Sequence, residues 1–305
     1  MAGIAIVFPG QGAQYPGMGR SLYETSAAAR RVLDRAEALR PGTLDQCFNG
    51  PAEALTRTVN TQPCMFAVEL AAAAALTEAG VSFDAAAGFS LGEIAALTFS
   101  KAVDFDDGFA LVCRRGELMD AAAQQTDAAM AAVLKLDAQQ VVQLCGDFPH
   151  IWPVNFNCPG QVTVSGLRDE MQQFLPAVKA AGGLGKLLKV SGGFHSPLME
   201  EASQQFGTFL GQFALKAPSM PLYANCTGLP YGEDAKQLIT RQICSPVLWQ
   251  STVEHMHETG IDTFVEAGPG STLCGLIRRT LPQATALPVS DEETYKTALE
   301  ALKAC

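Results

Sequence analysis

The chain has 305 residues, 48% of them apolar, and a formal net charge of −10. That length suits one large domain with an insertion, or two domains, around a well-buried interior. The acidic balance excludes nonspecific attraction to nucleic acid or an anionic membrane, so an anionic substrate must be met by local Arg and Lys.

The opening MAGIAIVFPGQG has neither a basic n-region nor a cleavage site, so it is not read as a signal peptide. Gly3–Phe8 reads as a buried strand ending in the tight loop Pro9-Gly10-Gln11-Gly12, where open α/β sheets place their ligands. Taken alone, Gly10 and Gly12 read as turn residues. Ala27–Leu39 is an amphipathic helix, and Thr61-Gln62-Pro63 opens a long helix to Ala79 with Thr61 as N-cap. Its alanine-rich part is well short of the roughly 20 residues that span a bilayer, so no membrane association is expected.

Ala85–Ala96, AAAGFSLGEIAA, places Gly88-Phe89-Ser90-Leu91-Gly92 between a strand and a helix. This is G-x-S-x-G in the setting of a nucleophile elbow, where flanking glycines remove side chains that would collide at a sharp turn. The helix N-terminus beyond it favours a nearby oxyanion. An ordinary glycine-rich turn is the competing reading of the motif by itself.

Asp104–Ala123 reads as a helix on which Arg114 pairs with Glu117, whereas Arg115 has only Leu111, Val112, Leu118 and Met119 as helical neighbours. A guanidinium on an apolar face needs a counter-charge. A remote carboxylate of the protein or the carboxylate of a ligand would serve, and the local sequence leaves both open.

From 127 to 193 the predicted order is β-α-β-β-α-β, that of a ferredoxin-like unit, and the αβ pattern resumes afterwards. The expected organisation is therefore a discontinuous large domain, 1–126 and 194–305, with a parallel sheet, and a small domain, 127–193, inserted in it. Asn155 and Asn157 lie near the predicted hairpin, where turn chemistry is the simpler reading. Ser191-Gly192-Gly193 leads out of the insertion to His195, one of four histidines and the best-placed general base. No His or Cys spacing suits a metal. The nine cysteines, Cys305 included, are scattered and never C-x-x-C, as expected of reduced thiols in a cytoplasmic protein. Beyond lie a strand at Pro221–Asn225, helices at Gln237–Cys244 and Val247–Thr259, a strand at Thr263–Glu266 and a helix at Leu273–Leu281. Arg278-Arg279 is a weak phosphate candidate and more simply a solvated helix end.

FPGQGAQYPGMG at the start, NTQP at 60–63, GFSLGE at 88–93, CRRGELM at 113–119, FNCPGQVTVSG at 156–166, GGFHSPLM at 192–199, SPVLW at 245–249 and EAGPGSTLCGL at 266–276 together resemble malonyl-CoA:acyl carrier protein transacylases, in order over nearly the whole chain. The resemblance implies an α/β-hydrolase-like core with a ferredoxin-like insertion. It implies that Ser90 is the nucleophile that carries a malonyl ester and that His195 is its base, oriented by backbone carbonyls near Ser245-Pro246-Val247. Gln11 and Leu91 would supply oxyanion N–H groups, Arg115 would clamp the malonyl carboxylate, and Gln62 and Asn157 match positions lining the pocket. Malonyl-CoA would be the substrate, an acyl carrier protein the partner that brings phosphopantetheine, and no resident cofactor is implied for this monomer. Transfer would be ping-pong, for fatty acid synthesis. The loop at Gly193-Phe194-His195-Ser196 resembles the malonyl-type version.

Two positions depart from the family pattern: Phe89 stands where histidine is usual, and Gly193 where proline is frequent. An apolar Phe89 is expected to alter acyl specificity or ester hydrolysis. It leaves open a stand-alone acyltransferase or acyl hydrolase of a polyketide or polyunsaturated-lipid synthase. A catalytically silent scaffold is the non-enzyme alternative.

Overall fold

The computed structural model describes residues 3–190 and 192–303; Ser191 in the exit from the insertion and the Cys305 thiol lie outside these. Two sheets organise the chain. Strands β1 (Gly3–Phe8) and β2 (Ala85–Gly88) pair in parallel, as do β7 (Leu222–Tyr223), β8 (Ile261–Ala267) and β9 (Thr285–Val289) with their neighbours, in the order β7-β2-β1-β8-β9. The second sheet is antiparallel: β3 (Ala128–Leu134), β4 (Ile151–Cys158), β5 (Gln161–Leu167) and β6 (Leu184–Leu187), ordered β4-β5-β3-β6. The expected α/β architecture with a parallel sheet and a separate smaller sheet is therefore present.

β2 is spelled AAAG because it lies between two strands with helices on both faces; all four residues are buried. The helix Thr58–Glu78 is apolar nearly all round and buries its own Phe66, Val68 and Leu76 in the large core. It starts at Thr58, so Pro63 lies inside it and Thr61 is no N-cap. The Thr61 hydroxyl instead donates back to the carbonyls of Arg57 (3.0 Å) and Leu55. Val247 was expected in a helix, but that helix is Trp249–Glu258. Val247 pairs with β4 instead: its N–H donates to Val154 O at 2.8 Å and its carbonyl accepts from Phe156 N at 2.9 Å. Pro246 before it disfavours helical geometry at its predecessor. Ala235–Arg241 is the preceding helix, and Gln242–Cys244 tightens into a 3₁₀ turn. β9 and the last helix, Glu292–Lys303, were not foreseen.

The carboxyl ends of β1, β2 and β8 lie along the same edge of the parallel sheet. Phe8 registers with Gly88 and Val7 with Glu266, so the Pro9–Gly12 loop, the serine turn and the Gly268–Gly270 turn emerge side by side.

Candidate active site

The serine turn is as tight as its spelling suggests. A Cβ on Gly88 would lie 1.9 Å from Gly92 O, and one on Gly92 would lie 2.3 Å from Phe8 O. Ser90 takes φ 55° and His195 φ 61°, left-handed values that side-chain-bearing residues seldom adopt and that concentrate at functional sites. Ser90 Oγ lies 2.7 Å from His195 Nε2. On the far side of the ring, Nδ1 faces the carbonyls of Gln242 (2.9 Å) and Ser245 (3.2 Å). Carbonyls only accept, so Nδ1 carries the proton and the Nε2 lone pair is free for the serine hydroxyl. Ser245 is where carbonyl support was expected; Gln242, the closer one, was not foreseen. The imidazole is 3% exposed, and burial first, then the Arg115 charge, push its pKa down to about 4, so it is a neutral acceptor at pH 7.

Arg115, 1% exposed, reaches the same point from the helix Phe105–Gln125. Its Nη2 donates to Gln242 Oε1 at 2.8 Å and to Ser90 Oγ at 3.3 Å, while Nε and Nη1 have no protein acceptor. Burial lowers its pKa to about 10, with Glu93 opposing, so it stays cationic. Gln242 also donates from Nε2 to Ser90 O (2.7 Å) and Asn225 Oδ1 (3.3 Å). Asn225 in turn accepts from Ser90 N (2.7 Å) and donates to Gly88 O (2.6 Å). One glutamine thus fixes the arginine, the serine backbone and the histidine. The Glu93 carboxylate, on the helix after the serine, accepts from Asn225 N at 2.9 Å and from the Tyr231 hydroxyl; burial raises its pKa to about 7.

Among the described residues, the Gln11 and Leu91 backbone N–H groups have no protein acceptor. Both residues line the Ser90 cavity, about 90 Å³, with Gln62, Phe89, Arg115, Asn155 and His195. Gln62 Oε1 and Asn155 Oδ1 are buried there without partners, while Gln62 Nε2 reaches Met119 Sδ at 3.4 Å. Asn155 and Asn157 are not turn residues: both lie on β4 and are buried. Asn157 lines an adjoining cavity of about 220 Å³, which shares Gln11, Phe89 and Asn155 with the first and ends at Thr272–Leu276. Its Nδ2 donates to Thr163 Oγ1 at 3.1 Å. Phe89 borders both spaces, its ring edge-on to Trp249 with centroids 5.7 Å apart. A wider cleft of about 650 Å³ lined by Arg31 and Arg35 shares no residue with the serine cavity, and both arginines are already paired, with Glu78 and Asp106.

The other histidines serve elsewhere: His150 pairs with Glu170, His255 bonds Gly228 O, and His257 pairs with Asp262. Arg278 and Arg279 are both exposed in the last turn of their helix, the solvated end that was the simpler expectation, and their guanidinium groups are engaged by the protein. Arg278 donates to Ala286 O, and Arg279 to Gln161 Oε1 and Pro159 O on the small sheet's hairpin. No group of three or more His, Cys, Asp or Glu among the described residues could hold a metal. No helix among them is long and apolar enough to cross a membrane. The arrangement can deprotonate a serine, hold an oxyanion and pair a carboxylate.

Residues 5–298 match the acyl transferase domain family. The malonyl CoA-acyl carrier protein transacylase of Bacillus subtilis is 35% identical over 311 residues, covering 99% of this chain and 98% of that protein. The structure of malonyl CoA-acyl carrier protein transacylase from Clostridium perfringens superposes with a TM-score of 0.96 at 32% identity, covering 99% and 98% of the two chains. A malonyl-transacylase solved in complex with its type II PKS acyl-carrier protein is 32% identical with a TM-score of 0.94, over 98% and 100%.

Proposed function

The chain belongs to the acyl transferase family, and from that premise we propose that it moves malonyl from CoA to the phosphopantetheine thiol of an acyl carrier protein through an ester on Ser90. It is an acyltransferase, and malonyl transfer for fatty acid synthesis is its reaction. The observation that carries the assignment is Arg115: a buried cation beside the serine with Nε and Nη1 unpartnered. A malonyl carboxylate completes it as a bidentate pair, and an uncharged acyl group leaves it unpaired.

In this reading His195 Nε2 takes the Ser90 proton as Oγ attacks the thioester carbonyl. The N–H groups of Gln11 and Leu91 hold the oxyanion, and the proton passes to the CoA sulfur as it leaves. The carrier thiol then attacks the ester by the same route reversed, so the two half-reactions need no group beyond these side chains and the two thiols. Gln62 and Asn155 border the acyl group, and the adjoining cavity with Asn157 receives the pantetheine arm. About 90 Å³ suits a short acyl chain. A hydrolase would use the same dyad without requiring Arg115.

The strand order β4-β5-β3-β6 with its two crossing helices supports a ferredoxin-like small domain at 127–193. The parallel sheet with the serine turn after β2 supports an α/β-hydrolase-like core from 1–126 and 194–305. All the chemical groups come from one chain, which supports action as a monomer. The eight described cysteines are free thiols, which supports a cytoplasmic setting.

Intact mass after mixing with malonyl-CoA tests the proposal. A malonyl adduct that is absent in Ser90→Ala and chases onto a carrier protein is expected; release of free malonate without a carrier would instead assign a hydrolase. Arg115→Ala should lower kcat/KM for malonyl-CoA by about 100-fold, roughly 3 kcal/mol, while acetyl transfer persists. Unchanged malonyl selectivity would remove the clamp.

A further inference from the structure

Glu69 is an anomaly the transfer chemistry does not use. It sits in the middle of the buried helix Thr58–Glu78, fully buried, and neither carboxyl oxygen has a hydrogen-bond partner. The charged group that faces it is another buried carboxyl, Glu266 at the end of β8. Glu266 is well provided for: its two oxygens accept from Leu273 N at 3.0 Å and Cys274 N at 2.7 Å, at the start of the helix Thr272–Thr280. Arg278 is the cation that acts on Glu266, and the Cys274 thiol also faces it.

Two carboxylates in one dry site cannot both ionise, and the proton goes to the one with less to stabilise its charge. Glu266 has two N–H donors, a helix N-terminus and Arg278. Glu69 has none of these, and burial and the Glu266 charge both drive its carboxyl well above the ordinary carboxylate range. Its surroundings matter for catalysis. A Cβ on Gly268 would lie 2.8 Å from Glu69 Cγ and 2.9 Å from Pro9 Cγ, so the Gly268 backbone is wedged between the carboxyl side chain and the loop that presents Gln11.

We propose that Glu69 is a positioning residue: held as a neutral acid against the Glu266 carboxylate, it lets the Pro9–Gly12 and Gly268–Gly270 turns close on each other and so sets the Gln11 N–H. Ionising Glu69 would place a second negative charge beneath both turns and spread them. The catalytic consequence rests on the oxyanion role proposed for Gln11; the protonation state does not.

The test has two readouts. The wild-type minus E69Q infrared difference spectrum at pH 7 should show the carbonyl stretch of a protonated carboxylic acid, and its absence overturns the proposal whether or not malonyl is transferred. In steady-state transfer, Glu69→Leu should lower kcat about tenfold with KM for malonyl-CoA within about twofold, and E69Q should recover most of that loss. The wild-type rate should fall with an alkaline limb that E69Q lacks, beyond the Glu93 and Arg115 titrations that both proteins share. Coincident alkaline limbs, or E69Q and Glu69→Leu equally impaired, overturn the positioning role. If Glu69→Leu does not fold, the E69Q spectrum and pH profile still decide. A wild type that transfers no malonyl but shows the band removes the proposed reaction and leaves Glu69 as a neutral acid.

Discussion

The dyad holds its base in an unprotonated state by two routes at once, burial and the Arg115 charge, and both act against imidazolium. The acid limb of kcat/KM reports the free enzyme's base, so it should fall near pH 4 and not at the ordinary imidazole value of about 6.5. Arg115→Ala, assayed with acetyl-CoA as donor, should move that limb upward; a limb that stays put would deny the coupling. Phe89 bears on the lifetime of the ester. Its ring lies against Gly10, whose added Cβ would meet Phe89 Cδ1 at 2.8 Å, and packs on a Trp249 whose Nε1–H has no acceptor. Phe89→His puts polar nitrogens beside the ester, so the malonyl-enzyme should hydrolyse faster; equal lifetimes by intact mass would dismiss the effect. Ser90, His195 and Arg115 were legible because each carries a local signature: a glycine-flanked serine, a scarce histidine, a cation among aliphatics. Gln242 and Asn225 carry none. Their roles exist only through bonds to Ser90 across 152 and 135 positions of chain, and a buried amide looks like any surface amide in a sequence.

Elements rather than single side chains explain why the serine turn tolerates so little change. Gly92 opens its helix against the carbonyls of Phe8 and Pro9, 2.3 and 2.6 Å from where a Cβ would sit, and backbone cannot step aside as a side chain can. Gly92→Ala should cost about 3 kcal/mol or more in urea unfolding and lower kcat as well, because displacing Pro9 carries Gln11 with it. Gly275→Ala is the control. It sits in the helix Thr272–Thr280 with nothing within 4 Å of its Cβ position, so it should stabilise by up to about 1 kcal/mol. An unaffected Gly92→Ala would mean that the loop contact is looser than its geometry. Apart from β9 and the last helix, the strands and long helices were legible from apolar runs and breakers. The start at Thr58 was hidden by Pro63, which reads as a first-turn residue. The Val247 pairing was hidden because its partner, β4, lies far away in the chain.

At the scale of the molecule, three buried carboxyls, Glu69, Glu93 and Glu266, all titrate above the ordinary range, burial being the leading cause in each. A raised folded-state pKa means stability that is complete below about 4.5 and lost as pH climbs through the folded value. For Glu93, which reaches about 7, the loss is roughly 3 kcal/mol at about 1.4 kcal/mol per unit. His195 runs the other way, since its depressed pKa removes stability as pH falls from 6.5 to about 4. Three groups outweigh one, so the urea midpoint should be higher near pH 5.5 than at about pH 8; a flat or reversed profile would contradict the burial of these acids. The two separate sheets were legible as a change in the order of elements. The manner of their joining was not, because it is made of main-chain bonds. Those bonds have a further effect. β4, which delivers Asn155 to the cavity, is stitched through Val247 to the segment whose carbonyls tether the imidazole. Displacing the small sheet would therefore also pull on the segment that carries the Ser245 carbonyl. The imidazole's aim and the closure of the cavity are thus tied to one set of main-chain bonds, so a change at Val247 is felt at both.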